Sequence, residues 1–533
     1  MARSVKEEQP CASDNARRTY TIMPREESES GKRSNWTELE IRGPIKNLSP
    51  SLWSFTHLTA LYLNDNNLQR IPSDIALLTC LQRLDLSGNK LRSLPAELGD
   101  MTHLRELLLN NNILRVLPYE LGKLFLLRVL GISGNPLQSE ILSMVNEVNG
   151  TDKLLGYLLD NLTVCPRPPD REWIQIQSQQ SRLNLTFTVM SYNVLCDKYA
   201  TRQQYGYCPT WALVWDYRKQ AILKEILDST ADIVALQEVE TDQYHSFFRP
   251  ELQRQGYDGI FSAKSRAKTM GEHDRRFVDG CAIFYDKRRF TLLEDHLVEF
   301  NQIAVTHASG SEAMLNRVMI RDNIGIAVLL ELKDTGHHIL VANAHIHWDP
   351  EFKDVKLIQT IMLMNELESI VFKAQNEKGI GYKTPIPGMP GVPIVLCGDL
   401  NSLPKSGVVE YLLQGRVTTD HPDFQEFAYD AFLHRLRDSV RPGQRSPAGK
   451  LELVHQFNLK EAYADHPLQY TNYTYDFKGV IDYIFYSLDF LTPIGLLGPV
   501  STDWLKQYKI IGCPNPHFSS DHFPLLCEYD FIA

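Results

Sequence analysis

The spacing of apolar positions changes character along this chain of 533 residues. In the first third, leucines return in a fixed frame. "LTALYLNDNNLQRIPSDIALLTC" from Leu58, "LQRLDLSGNKLRSLPAELGDMTH" from Leu81 and "LRELLLNNNILRVLPYELGKLFL" from Leu104 restart at equal spacing, and "LRVLGISGNPLQ" from Leu127 begins a fourth copy. Leu61 and Leu63 bracket one outward residue, the spacing of a short strand. Asn66, Asn89, Asn112 and Asn135 recur where the chain turns. An amide offers donors and an acceptor together, so it can satisfy turn backbone as no apolar side chain can. A stack of such units is predicted, each burying its leucines against the next. The stretch from Trp36 to His57 is a degenerate copy that keeps Leu39 and Ile41 but has Pro44 where asparagine should be, as expected of a terminal unit.

The pattern LxxLxLxxNxL is that of leucine-rich repeats. Residues 35–161 are assigned to this solenoid together with a helical cap, because "SEILSMVNEVNGTDKLLGYLLDNL" has helical spacing that would cover the open end. Residues 1–34 are polar and rich in Arg, Glu and Ser, and are expected to be disordered. Residues 162–182, with "CPRPPDREW", read as a stiff linker. From Leu183 to Ala533 the period changes. "LNLTFTVMSYN" alternates like a half-buried strand, and "YRKQAILKEILDS" is helical and leads into the strand "ADIVALQ". "GCAIFYD", "GIAVLLELKD", "HHILVANAHIHW", "IVLCGDLN", "VIDYIFYS" and "FPLLCEY" are further strands, and the whole predicts an α/β sandwich.

Nearly every predicted strand ends in polar chemistry: Asn193, Glu238, His345 with His347, Asp399 with Asn401, Asp482, and Asp521 with His522. In "PIVLCGDLNSLP" the two-residue spacing would put Asp399 and Asn401 on one strand face, although Gly-Asp-Leu-Asn-Ser is also good turn chemistry. Asn193 could instead simply cap a turn. His347 is expected to pack or meet solvent, and Cys397 to be a small buried hydrophobe. His522 is expected to pair with a carboxylate such as Asp482. If these ends converge, they form a pocket of carboxylates, amides and imidazoles.

Composition narrows what such a pocket could serve. The formal net charge of −10 argues against coating nucleic acid with bulk positive charge, so such a substrate would be gripped locally. Nine scattered cysteines without a CxxC pair suit a reducing compartment and give no zinc spacing. No signal peptide and no bilayer-spanning run is read, so a soluble chain of the cytoplasm with a nuclear pool is expected. Oxygen-rich ligands with few thiols suit Mg or Mn.

"MSYNVL", "LQEVE", "NAHIH", "GDLNSLP", "IDYIFYS" and "SSDHFPL", in this order, resemble the endonuclease, exonuclease and phosphatase superfamily, whose fold is a two-layered α/β sandwich. With the preceding repeats, "CDKYATRQQYGYCPTWALVWDYRKQ" and "NAHIHWDPEFKDVKLIQT" resemble the carbon-catabolite-repressor type of poly(A) deadenylase, the nuclease subunit of a Not-scaffolded complex. The resemblance implies that Glu238 binds metal with Asn193 beside it. It implies that Asp399 and Asn401 bind a second metal, orient the nucleophile or hold phosphate. Asp482 and His522 complete the site, Asp521 orients His522, and His345 faces the scissile phosphate. Two Mg ions, with Mn as the alternative, are implied.

The implied reaction removes 3'-terminal adenosines from mRNA tails and releases 5'-AMP. The implied partner of the repeats is the second deadenylase subunit, which bridges to the Not scaffold; no membrane partner is implied. Phe477 and Pro350 lie near catalytic strand ends and are read as the two faces of a purine slot, with Asn401 a candidate reader of the adenine edge. A core position for Phe477 is the competing reading. The alternatives in function are a catalytically weak scaffold or a phosphodiesterase of the same fold with another substrate.

Overall fold

The computed structural model describes residues 36–176, 185–307, 311–381, 391–425, 427, 429–440 and 451–532, so the tail expected to be disordered lies outside the described residues. The chain divides into two compact units, Met1–Leu154 and Leu155–Ala533. The division falls within the helix Gly150–Asp160 rather than in the proline-rich segment after it.

In the first unit, β1 (Glu38–Glu40), β2 (Ala60–Tyr62), β3 (Arg83–Asp85), β4 (Glu106–Leu108) and β5 (Val129–Gly131) form one parallel sheet. Leu61, Leu84 and Leu107 are fully buried in register with one another. The asparagines stitch the coils together. Asn89 Nδ2 donates to the Leu63 carbonyl of the preceding coil at 2.8 Å and to Leu86 of its own at 3.0 Å, while its Oδ1 accepts from Leu68 N–H at 3.0 Å. Asn112 repeats the pattern with Leu86, Leu109 and Leu91. Truncating such a buried amide strands several backbone groups, each worth about 1–3 kcal/mol. The run after the repeats is two helices, Ser139–Val145 and Gly150–Asp160, broken where Asn149 takes φ +57°.

The second unit is built on two sheets. One has the order β6 (Trp173–Gln175), β21 (Leu491–Leu497), β22 (Leu525–Phe531), β7 (Thr186–Asn193), β8 (Ile233–Glu240), β10 (Asp279–Asp286) and β9 (Tyr257–Ala263). The other has β11 (Phe290–Glu299), β12 (Ile324–Leu332), β13 (His337–His345), β14 (Ile394–Asp399), β20 (Asp482–Ser487) and β17 (Leu459–Glu461). Two short ladders lie outside them: β15 (Arg416–Thr418) with β16 (Glu452–Val454), and β18 (Asn472–Tyr473) with β19 (Lys478–Gly479).

Val189, Ala235 and Ile283 of the first sheet pack against Ile326, Val341, Val395 and Ile484 of the second, so the sheets lie face to face. Their outer faces are also buried. Met190, Val234 and Phe284 meet Ile222 and Ile226 of the helix Trp215–Asp228. Leu340, Ala342 and Leu396 meet Ile358, Met362 and others of the helix Lys353–Lys378. The sandwich therefore wears helices on both sides. Among the described residues no helix is long and apolar enough to cross a membrane.

The segment read as a linker is partly built into this unit. β6 pairs with β21 through Trp173 and Leu497. Arg171 Nε and Nη1 donate to the carbonyls of Gly498 and Pro524 at 2.6 and 2.7 Å. Trp504 Nε1 donates to the Pro166 carbonyl at 3.0 Å. The segment thus supplies an edge strand, a guanidinium that fastens two loop carbonyls and a carbonyl for the Trp504 indole.

Candidate active site

The polar strand ends converge at one rim of the sandwich because β13 and β14 run parallel and β20 antiparallel to them. His345 pairs with Asp399, and Asp399 with Asp482, so the three side chains stand in one row. Only glycine fits before Asp399, since a Cβ on Gly398 would lie 2.3 Å from the Ala344 carbonyl oxygen. From the other sheet, Asn193 ends β7 and bridges the acids. Its Nδ2 lies 3.0 Å from Asp399 Oδ2 and 3.3 Å from Glu238 Oε1.

Glu238 reaches the row by a local break in the ladder. Gly280 pairs with Val239 and Cys281 with Gln237, which leaves Glu238 as the extra residue of a β-bulge at φ +60°. A left-handed glutamate costs on the order of 1 kcal/mol, and the hydrogen bond from Cys196 N–H to Glu238 Oε2 at 3.1 Å helps hold it.

His522 completes the row. Its Nδ1 lies 2.8 and 2.9 Å from the two Asp482 oxygens, and its Nε2 is 3.7 Å from Asp399 Oδ2. Asp521 is anchored through Oδ2, which accepts from Tyr205 Oη at 2.8 Å and Asn472 Nδ2 at 3.2 Å; its Oδ1 has no hydrogen-bond partner but lies 4.0 Å from His522 Nε2. His345 Nε2 lies 3.7 Å from Asp399 Oδ2, and its Nδ1 is likewise unpartnered.

The charges of this rim are frustrated. Burial, and then Asp482, push the Asp399 carboxyl well above the usual carboxylate range. Burial and the nearby Asp279 raise Glu238. Burial opposes a charge on His522, but Asp482, Asp521 and Asp399 overcome it and hold the imidazolium well above its ordinary range. His345 is shifted the opposite way by burial and by Lys264. Crowded carboxylates that resist ionisation are the setting a divalent cation relieves. Ligand atoms of Asp399, Asp482 and His522 all lie within 4.8 Å of one another, and oxygen donors predominate once Glu238 is added, so the residues fit a hard divalent ion.

Some sequence expectations change here. Between a shared strand face and a turn for Asp399 and Asn401, the structure shows the turn: β14 stops at Asp399 and Asn401 takes φ +47°, donating its backbone N–H to Asp399 Oδ1 at 2.9 Å. The turn chemistry prevails. Asn401 Nδ2 donates to the Ile346 carbonyl at 3.0 Å, which weakens its candidacy as a reader of adenine. His347 packs: it is buried, edge-on to Phe352 at 5.3 Å between ring centroids. Phe477 is 37% exposed and Pro350 is exposed, so the core reading of Phe477 gives way to one on the surface.

Sequence reading missed a second network beside Glu238. Asp279 is fully buried, with Lys264 Nζ and Arg266 Nη2 each 2.6 Å from its carboxylate and Tyr199 Oη donating at 3.1 Å. The predicted strand "GCAIFYD" began one residue too late, at Gly280, whereas β10 begins at Asp279. Arg218 was also missed. Its buried guanidinium donates to the carbonyls of Leu213, Leu195 and Ser519 at 3.0, 2.8 and 3.1 Å, fastening the loops after Asn193 and before Asp521.

A two-sheet α/β sandwich with a rim of acids, amides and imidazoles defines a class, and the sequence agrees: residues 190–522 match the endonuclease/exonuclease/phosphatase family, and residues 56–114 match leucine-rich repeats. The chain belongs to that endonuclease/exonuclease/phosphatase family. Over nearly its whole length it is similar to particular members. It is 57% identical to the CCR4-NOT transcription complex subunit 6-like of Danio rerio, over 97% of this chain and 93% of the relative. It is 43% identical to the CCR4-Not complex 3'-5'-exoribonuclease subunit Ccr4 of Schizosaccharomyces pombe, over 93% and 75%. Among solved structures, that of ANGEL2, a 2',3'-cyclic phosphatase, in complex with adenosine-2',3'-vanadate superposes with a TM-score of 0.54 at 29% identity, covering 68% of this chain and 99% of that one.

Proposed function

We propose that this chain is a 3'-to-5' exoribonuclease that removes adenosines from poly(A) tails as 5'-AMP, working with Mg or Mn, two ions in the full site. The observation that carries this is the continuous row His345–Asp399–Asp482–His522 with Glu238 and Asn193 at its flank, in a chain 43% identical to a relative named as a 3'-5' exoribonuclease. Water adds to the last phosphorus, the bond to the upstream 3'-oxygen breaks, and that oxygen leaves with a proton. Asp482 fixes the His522 ring so that Nε2 faces the centre, where it can hold a phosphoryl oxygen. Asn193 holds the Asp399 and Glu238 carboxylates at a fixed spacing. His345, disfavoured as a cation, presents a neutral imidazole on the same row. Bound divalent ions, held by Glu238, Asp399 and their neighbours, would supply charge stabilisation at the phosphate.

The oxygen and imidazole set is intact, which disfavours an inactive scaffold. Incubation of the purified chain with labelled RNA ending in adenosines should yield 5'-AMP with Mg and none with chelator; absence of AMP with Mg overturns the reading. The repeats are assigned to contact with the second deadenylase subunit, and through it with the Not scaffold. Deleting residues 1–161 should abolish co-purification with that subunit while the nuclease still cuts.

A further inference from the structure

Trp348 is the most exposed of the seven tryptophans, at 68%. It stands in the loop that leaves β13 three residues after His345. An indole in water is costly unless something covers it, and this one is not on a loose tether. Ile346 N–H donates to the Asp399 carbonyl and Asn401 Nδ2 to the Ile346 carbonyl, both at 3.0 Å, so the loop runs alongside the catalytic turn. Lys356, itself buried, then donates from one ammonium to the carbonyls of Trp348 at 3.3 Å and Asn401 at 2.6 Å. Among the described residues Lys356 forms no ion pair. A buried lysine spent on two carbonyls is an expensive device, and what it holds together is the Asn401 turn and the Trp348 backbone.

The wall beside Trp348 is aromatic and cationic. His347 lies 6.3 Å from the Trp348 ring and 5.3 Å from Phe352, over which Arg321 stacks at 4.3 Å. Asp349 and Glu351 in the same loop would repel phosphate, so what suits a nucleic-acid strand is the indole face rather than net charge. Aromatic faces next to a channel are how single strands are held, one base to a ring.

We propose that Trp348 is a stacking platform for the base of a nucleotide upstream of the scissile bond, in single-stranded RNA, with Lys356 as the positioning residue beneath it. This rests on the RNA-hydrolysing reading above. The occupant is a base rather than a peptide because the loop is continuous with the catalytic row, past which the rest of the substrate strand must leave.

The test measures kcat and KM on oligoadenylates in which one upstream nucleotide at a time lacks its base, for the unmodified chain, Trp348→Ala and Trp348→Phe. Trp348→Ala should raise KM by about 5- to 100-fold with kcat moving far less, Trp348→Phe should recover most of the loss, and the melting temperature should hold. At one upstream position, removing the base should cost the unmodified chain a similar factor and cost Trp348→Ala nothing further. Uridine there should substitute for adenosine, since every base has a stacking face. An unchanged KM in Trp348→Ala, or identical penalties for missing bases in both proteins, overturns the proposal and leaves the indole to a protein contact. If the unmodified chain releases no AMP at all, it is the RNA-hydrolysing reading that has failed.

Discussion

Gln237 and Asn343 join the two sheets through their side chains: Gln237 Nε2 donates to Asn343 Oδ1 at 2.7 Å, with both residues fully buried. Asn343 Nδ2 in turn donates to the carbonyls of Leu236 and Ala282 at 2.8 and 2.9 Å. One amide on β13 thus ties β8 to β10 just before the Glu238 bulge. Asn343→Ala should lower stability by about 3 kcal/mol, because buried donors and acceptors lose partners with no water to replace them. Urea unfolding should show this as a lower midpoint with unchanged slope. Activity should fall more than the folded fraction does, since the bulge loses its anchor.

Removing the acids themselves should do the reverse to stability. Glu238 and Asp399 are carboxylates that burial and neighbouring charge disfavour. Glu238→Ala and Asp399→Ala are expected to melt at or above the temperature of the unmodified chain without metal, yet to lose hydrolysis by orders of magnitude. Mg should raise the melting temperature of the unmodified chain, and that rise should vanish in Asp399→Ala. Near-normal hydrolysis in either variant would remove it from the site.

Phe477 closes a turn in which Thr474 N–H donates to the Phe477 carbonyl at 2.7 Å, and its ring lies over Gly479, where a Cβ would come within 2.8 Å of it. An exposed ring held this firmly is suited to stacking. Phe477→Ala should leave thermal stability intact, weaken cleavage of adenosine tails by about 1–3 kcal/mol of binding and flatten the preference over uridine tails. Full retention of that preference would place the slot elsewhere.

A chain that begins at Leu162 should behave as an independent nuclease, whereas one that begins at Leu183 should not. The second lacks Arg171, Pro166 and β6, and so leaves β21 as an unprotected edge. Differential scanning calorimetry should find the shorter chain less stable by several kcal/mol, and light scattering should find it prone to associate. Equal stability would mean that the segment contributes nothing.

Glu461 supplies a pH test away from the site. Burial pushes its carboxyl up to about 7, while an unfolded glutamate titrates near 4.3. Between those values the native chain binds more protons than the unfolded one, so this residue makes stability fall as pH rises from about 4 to 7, by at most about 4 kcal/mol, and adds no further loss above. Glu461→Gln keeps an acceptor for Tyr463 N–H, bonded at 2.9 Å. It should therefore melt higher than the unmodified chain at pH 8 and equally at pH 4.

What could be read from the sequence was whatever repeats or alternates. The repeat frame located Asn89 and Asn112 because the same amide serves the same job in each coil. The strands were visible as apolar runs, and their polar ends pointed to Asp399, Asp482 and His522. The long helix Lys353–Lys378 was not visible, because it is buried on nearly every side and so shows no stripe. Asp279 was missed because the predicted strand "GCAIFYD" began at Gly280, one residue after it, so its carboxylate was not read as a strand end. Whether Asn401 continued the pleat or turned was left open, because only backbone conformation separates those cases.

The bulge at Glu238 has a genetic corollary. One surplus residue in β8 is what carries this carboxylate out of the ladder and onto the row with Asp399. Loss of the neighbouring Val239 codon would let the ladder close through Glu238, with every acid of the row still present in the text of the gene. Within such a fold, the step from an enzyme to a silent relative that merely binds can thus be taken by register alone, and a count of catalytic residues would never register it.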